Sequence, residues 1–271
     1  MSEQISIDRS AGNVWIATIS NPPINLIDPD TIDELQVLVQ ALETDPEVRV
    51  IVFRSADPDF FLAHWDALAD KDRVAAMEPG PTGMHPWLDV LSRLSRAPVA
   101  SIAEIRGRAR GAGSEFVLAC DMRFASREHA ILGQFEVGLG LVPGGNPMAR
   151  LAGLSGRGRA LEIILGADDF DADLAERYGY VNRALPDAEL TRFVDDLAGR
   201  LGGFEKYAIV GAKALLDEVS LPPDAVFPPA LKAFFTSAQH PNTRARAAAL
   251  MQRGFQQRTE TELALGNAVV L

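Results

Sequence analysis

A chain of 271 residues with 47% hydrophobic and 23% charged content is long enough for one large α/β domain, or a domain with an appendage, and has the composition of an ordinary folded enzyme. A net charge of −11 gives no continuous basic surface to neutralise nucleic-acid phosphates, and no stretch is both long and apolar enough to cross a bilayer, so nucleic-acid and membrane partners are not expected. The acidity opposes an anionic ligand at long range, but backbone donors and a few Arg or Lys outweigh that at contact.

The first residues, Met1 to Asp8, carry acid where a secretory signal carries base, so export has no support. Val14 to Ile19 is a β-rich run, and Asn21-Pro-Pro-Ile-Asn25 then forces an extended loop. A helix follows: Asp28 caps it, Pro29 takes its first position, and Ile32, Leu35, Val39 and Leu42 share one face until Asp45-Pro46 stops it. Val48 to Phe53 is a strand whose continuous apolar character predicts burial on both faces, as between parallel neighbours. Gly, Pro and Met from Met77 to Pro86 predict a surface loop, and the helix after it, through Trp87, Leu88, Leu91 and Leu94, is placed to border a pocket. Further strands are predicted at Pro98 to Ala103, Met122 to Ala125 and Tyr180 to Asn182. The alternation argues for an α/β fold. Beyond about Asp187 only amphipathic helical segments run to roughly Gln257, interrupted near Pro222 and Pro228. Cys120 is the only cysteine, which excludes an intrachain disulfide and a multi-cysteine metal site and fits a reducing cytoplasm.

Two segments carry candidate chemistry. In Gly107 to Asp121 a strand runs into the small-residue turn Gly111-Ala112-Gly113 and then a helix with Glu115 in its first turn. Such a turn lets a ligand approach the main chain, and free N–H groups at a helix start favour developing negative charge. A carboxylate there also serves as a plain dipole partner. In Leu132 to Gly145, Glu136 sits among apolar residues and glycines, which should raise its pKa and suit proton exchange near neutral pH. Pairing with a nearby arginine is the alternative.

Joined by Asp59 to Asp66, these segments resemble in residues and order the enoyl-CoA hydratase/isomerase (crotonase) family, over roughly residues 10 to 190. The resembling features are the Phe-containing turn Phe61 to Asp66, the glycine turn leading to Glu115 and Cys120-Asp121, the Gly133-x-x-Glu136 and Pro143-Gly144 pairs, the early Asn21-Pro-Pro-Ile-Asn25 loop, and Ala172 to Val181. The resemblance implies a repeated ββα spiral core over 1–190 and a C-terminal helical region over 191–271 that packs between subunits as a homotrimer or dimer of trimers. Phe234, Phe235, Leu250 and Phe255 are candidates for that packing, against an intrachain role. It implies an acyl-CoA thioester substrate, no separate cofactor and no metal. It places oxyanion-hole N–H groups at Trp65 and Ala112, a water-activating base at Glu115 and an acid at Glu136, with Ala63, His64, Gly111, Gly113, Pro143 and Gly144 beside the substrate.

Departures cluster in the oxyanion turns. Ala63-His64-Trp65-Asp66 stands where the family has Ala-Gly-Ala-Asp, and Ala112 replaces a usual glycine, which requires a negative φ. His64 is either a third titrating group or a hydrogen-bonded structural residue, and His129 is expected on the surface. Asp121 reads as a structural cap or turn residue, and Arg108 and Arg110 as solvated or phosphate-facing. Retention of both glutamates favours hydration of a 2-enoyl-CoA in the cytoplasm; isomerisation, thioester or β-diketone hydrolysis, and non-catalytic acyl-CoA binding remain alternatives.

Overall fold

The computed structural model of the protein describes residues 3–270. Its strands in chain order are β1 (Ile5–Asp8), β2 (Val14–Ile19), β3 (Val50–Ser55), β4 (Phe60–Leu62), β5 (Ala100–Ile105), β6 (Arg108–Arg110), β7 (Met122–Ser126), β8 (Ile131–Gly133), β9 (Asp169–Asp171) and β10 (Arg183–Leu185). The helices are α1 (Pro29–Thr44), α2 (Lys71–Ala75), α3 (Pro86–Arg96), α4 (Ala112–Ala119), α5 (Pro147–Ser155), α6 (Arg157–Gly166), α7 (Ala172–Tyr178), α8 (Asp187–Gly202), α9 (Lys206–Ser220), α10 (Phe227–Ala238), α11 (Pro241–Gln252), α12 (Glu260–Leu263) and α13 (Leu265–Ala268). One sheet has the order β1-β2-β3-β5-β7-β10, parallel apart from β1, and a smaller one the order β4-β6-β8-β9, parallel apart from β9.

The chain alternates between the two sheets. Strands β3, β5 and β7 each enter the large sheet, and the next strand, β4, β6 or β8, enters the small one before helical structure follows. This is the α/β fold expected from the alternation of elements, with the repeated ββα units that the resemblance implies. Burial of β3 on both faces follows from its run of apolar residues: Ile51 and Phe53 join Leu35 and Val39 of α1 in one core, while Val50 and Val52 join Leu190, Val194 and Ala198 of α8 in another. Helix α1 starts as expected, with the Asp28 side chain accepting from Thr31 N and Pro29 in the first turn. No helix among the described residues is long and apolar enough to cross a membrane.

Three expectations need correction. The strand predicted at Tyr180 to Asn182 begins at Arg183 instead, because the Tyr180 and Val181 N–H groups both donate to the Ala175 carbonyl at the end of α7, at 2.8 and 3.3 Å. Pro228 does not interrupt a helix; it lies in the first turn of α10, where its missing N–H leaves no bond unmade. Leu250 and Phe255 are buried within the chain, packed with Phe135, Leu139 and Leu265, so they are not free to pack between subunits. Of the four candidates Phe235 remains exposed, and further exposed apolar surface lies on α9, where Tyr207, Leu215, Leu216 and Val219 face outward.

Candidate active site

Strands β4, β6 and β8 pair in parallel, so the turns leaving their C-terminal ends meet at one edge. The first turn carries His64 and Trp65, the second Gly111 and Ala112, and the third Gln134 to Glu136, which opens a 3-10 turn over Glu136–Leu139. With α3, α10 and α11 they enclose a cavity of about 170 Å³. Glu115, Glu136, Trp65, Ala112, His64 and Gly144 line it. Ala63, Gly111, Gly113 and Pro143 stand outside the lining. Ala63 packs with Ile24 and Phe60, Gly113 abuts the Leu62 backbone, and Pro143 precedes Gly144 in a buried position. Gly111 adopts φ +50° and leaves no room for a β-carbon beside the Glu136 carboxylate.

The Trp65 and Ala112 N–H groups have no acceptor among the described residues. On either side of Trp65 the backbone is fixed: Ile27 N donates to His64 O and Asp66 N to Ile27 O, both at 2.8 Å. Ala112 is the first residue of α4, where the N–H has no partner within the helix. Its φ is not positive, so alanine is unstrained here.

The two carboxyls share burial and differ in partners. Glu115 accepts from Trp87 Nε1 at 2.8 Å and from Gly145 N at 2.7 Å. Burial raises its pKa, and those two donors and the charge of Arg150 oppose the rise. Glu136 has an oxygen, Oε2, with no partner among the described residues, and burial first and the charge of Glu115 second push it up to about 8. Both carboxyls are therefore pushed upward by burial, and the donors that hold Glu115 have no counterpart on Glu136 Oε2, which favours loss of the proton from Glu115 first. Arg150, buried behind α5, bonds Ser95 Oγ at 2.8 Å and is brought down to about 10 by burial and by the charges of Arg96 and Arg123.

His64 is a tie rather than a free acid or base. Its Nδ1 contacts Trp65 O at 2.9 Å, its Nε2 contacts Glu262 Oε1 at 3.1 Å, and its ring stacks on Phe255 at 4.6 Å. Burial raises the Glu262 pKa, but the charge and hydrogen bond of His64, the Gln256 N–H and the Arg110 charge outweigh it, and the net shift is downward. Both ring contacts are to oxygens, the Trp65 carbonyl and the Glu262 carboxyl, so the ring bridges the turn to the C-terminal segment. Arg110 is buried against Asp169, at 2.6 Å from each carboxylate oxygen, and donates to Glu262 O at 2.8 Å. Arg108 donates to Leu263 O at 2.8 Å. Both arginines bind the C-terminal segment, which removes them from a phosphate-facing role. Asp121 accepts from Ser101 N in β5 and pairs with Lys213 of α9, each at 2.8 Å, so it is structural but ties strand to helix and does not cap a helix. His129 is exposed, as predicted.

Sequence reasoning missed Trp87 and Gly145 as partners of Glu115, and Glu262 as the partner of His64. The helix of Trp87 carried a weak signal, since its position after the Gly/Pro loop marked it as a pocket border. A β-carbon at Gly145 would overlap the Glu115 carboxylate. The double glycine Gly144-Gly145 was the visible trace of that approach.

The family model described as enoyl-CoA hydratase/isomerase matches residues 9–221. A short-chain-enoyl-CoA hydratase of Clostridium acetobutylicum is 32% identical over 193 residues, covering 70% of this chain and 72% of that protein. An ethylmalonyl-CoA decarboxylase of Danio rerio is 30% identical over 222 residues, covering 76% and 72%. A crystal structure from Streptomyces avermitilis, assigned as an enoyl-CoA hydratase, superposes with a TM-score of 0.93 at 46% identity, over 98% of this chain and 96% of that one.

The Glu136 environment has a consequence for stability. The folded chain keeps a proton on Glu136 that the unfolded chain releases above its ordinary value of 4.5, so this contribution to stability is complete below that value and is lost as pH climbs through about 8. Glu136→Gln fixes the neutral state in both forms. Urea unfolding across this window should show the wild type losing stability relative to Glu136→Gln as pH rises; a difference that stays constant would contradict the raised pKa.

Proposed function

The chain belongs to the enoyl-CoA hydratase/isomerase family, and on that premise we propose that this enzyme adds water across the 2,3 double bond of an enoyl-CoA thioester. The observation that carries the reading is the pair of buried carboxyls, Glu115 held by two donors and Glu136 with a bare oxygen, on one cavity wall that also holds two unused backbone donors. The thioester oxygen accepts from Trp65 N–H and Ala112 N–H. Those donors sit preorganised for the enolate charge, and losing one typically costs about 10²- to 10³-fold in rate. Ionised Glu115 takes a proton from water as the hydroxyl adds to carbon three. Protonated Glu136 then delivers its proton to carbon two of the enolate. Solvent carries the proton from Glu115 back to Glu136 between turnovers.

A second reading, enolate chemistry without water addition, is favoured by the hold on Glu115, since Trp87 and Gly145 each occupy one of its oxygens. The Danio rerio relative is named for a decarboxylation. Each carboxylate oxygen accepts a second hydrogen bond, however, and Glu115 lines the cavity, so water retains access. The proposed setting is the cytoplasm, where the one buried cysteine stays reduced. The proposed assembly is a homotrimer or dimer of trimers, and the apolar outer face of α9 supports a subunit contact there.

Loss of enoyl-thioester absorbance on adding crotonyl-CoA and longer enoyl-CoAs tests the chemistry. Glu115→Gln and Glu136→Gln should each lower kcat by about 10²- to 10⁴-fold while saturated acyl-CoA still binds, and the wild-type rate should fall above about pH 8 as Glu136 ionises. Binding without turnover, unaffected by either change, would overturn hydration. Sedimentation velocity should give three or six times the 29.3 kDa chain mass, reduced by Leu215→Asp with Val219→Asp; a monomeric wild type would overturn the assembly.

A further inference from the structure

The wall of the cavity is more aromatic than the chain that forms it. Six of its nineteen lining residues are Phe or Trp, whereas Phe, Trp and Tyr together make 7% of the sequence. The six are Trp65, Trp87, Phe135, Phe234, Phe235 and Phe255, and they include two of the three tryptophans. They come from four separate parts of the chain: the turn after β4, helix α3, the turn after β8, and the C-terminal helical region. No single helix face or core layer accounts for the concentration.

The rings already sit in the arrangement that aromatic groups adopt with one another. Phe135 meets Phe255 at 5.9 Å and 70°, Phe234 meets Phe235 at 5.5 Å and 71°, and His85 meets Phe235 at 6.3 Å and 61°. Edge-to-face packing of this kind favours a further ring in the space between them beyond what its apolar area alone would give. The volume is restrictive too. About 170 Å³ compares with the roughly 150 Å³ of an apolar protein cavity that holds one benzene molecule. One six-membered ring joined to the reacting carbons fills such a space, whereas a long alkyl chain extends beyond its aromatic wall.

We propose that the acyl group this site is built to hold is aryl-substituted: a phenyl-type ring on carbon three of the thioester, packed among Trp65, Trp87, Phe135, Phe234, Phe235 and Phe255. The proposal rests on the acyl-CoA reading above and names the substrate class within it. The ring lies against the C-terminal aromatic residues, with the thioester carbonyl at the Trp65 and Ala112 N–H groups and carbons two and three beside the glutamates. Phe235 is the specificity residue most accessible to test, because it is 44% exposed and the fold does not depend on it.

The test reads binding, so that it stands apart from whether hydration occurs. Calorimetric titration of the full chain with 3-phenylpropanoyl-CoA, hexanoyl-CoA and decanoyl-CoA, all saturated and inert to hydration, gives three dissociation constants. The phenyl ester should bind about tenfold more tightly than hexanoyl-CoA, with decanoyl-CoA weaker than both. Phe235→Leu should narrow the phenyl advantage to about threefold or less, weakening the phenyl ester more than hexanoyl-CoA. Equal or tighter binding of either alkyl ester overturns the aryl assignment even where crotonyl-CoA is hydrated. No binding of any ester overturns the acyl-CoA reading and this inference with it. Aryl preference without hydration keeps the pocket assignment and sinks only the proposed reaction.

Discussion

Parallel pairing of three short strands, with Phe60 opposite Arg108 and Arg108 opposite Ile131, determines the rest of the site. Each of β4, β6 and β8 is three residues long, too short to be stable alone, and their shared direction delivers three turns from distant parts of the chain to one edge. Arg110 locks that edge. Its guanidinium spans Asp169 beside β8 and the carbonyls of Glu262 and Leu263, so the C-terminal segment is drawn over the turns that carry Trp65 and Ala112. Removing one partner of a buried ion pair of this kind is strongly destabilising, because the other charge is left without water or counter-ion. His64 with Glu262 repeats the connection two residues beyond β4. A residue that departs from the usual family pattern thus acquires a structural reason.

From that geometry follows an electrostatic division of labour. Glu115 and Glu136 are both buried in a mostly apolar cavity, and burial raises both. What separates them is hydrogen bonding: Trp87 and Gly145 point donors at Glu115, while Glu136 has an oxygen with none. Two titrating groups whose surroundings push them apart define a base and an acid without any difference in residue type. Cys120 illustrates the opposite case. Burial pushes its thiol up to about 12, and it packs as a small inert hydrophobe.

Much of the fold was legible because strong local patterns agree with the final structure. The capped amphipathic helix from Pro29 and the apolar strand through Ile51 and Phe53 appear where periodicity puts them. The small sheet was not legible. Three-residue strands leave no period to detect; only β6 is expected as a strand, from the turn it enters, and its arginines read as solvated or phosphate-facing until Asp169 and the C-terminal carbonyls are brought to them. The glutamates and the turns were found through their order along the chain. Their partners were hidden because they are tertiary: Trp87 lies 28 residues from Glu115, and Glu262 lies 198 from His64. No local propensity encodes either pairing. The aromatic wall was invisible for the same reason, with only the helix of Trp87 placed at a pocket border.

The most direct measurement of the reaction is the isotopic composition of the product after incubating wild-type enzyme with crotonyl-CoA, once in H₂¹⁸O and once in D₂O, read by mass spectrometry and NMR. Water addition through an enolate gives 3-hydroxyacyl-CoA with ¹⁸O at carbon three and deuterium at carbon two. Free CoA with ¹⁸O in a released carboxylate, or an enoyl thioester that exchanges hydrogen without gaining oxygen, would contradict it and assign the two glutamates to a different enolate chemistry.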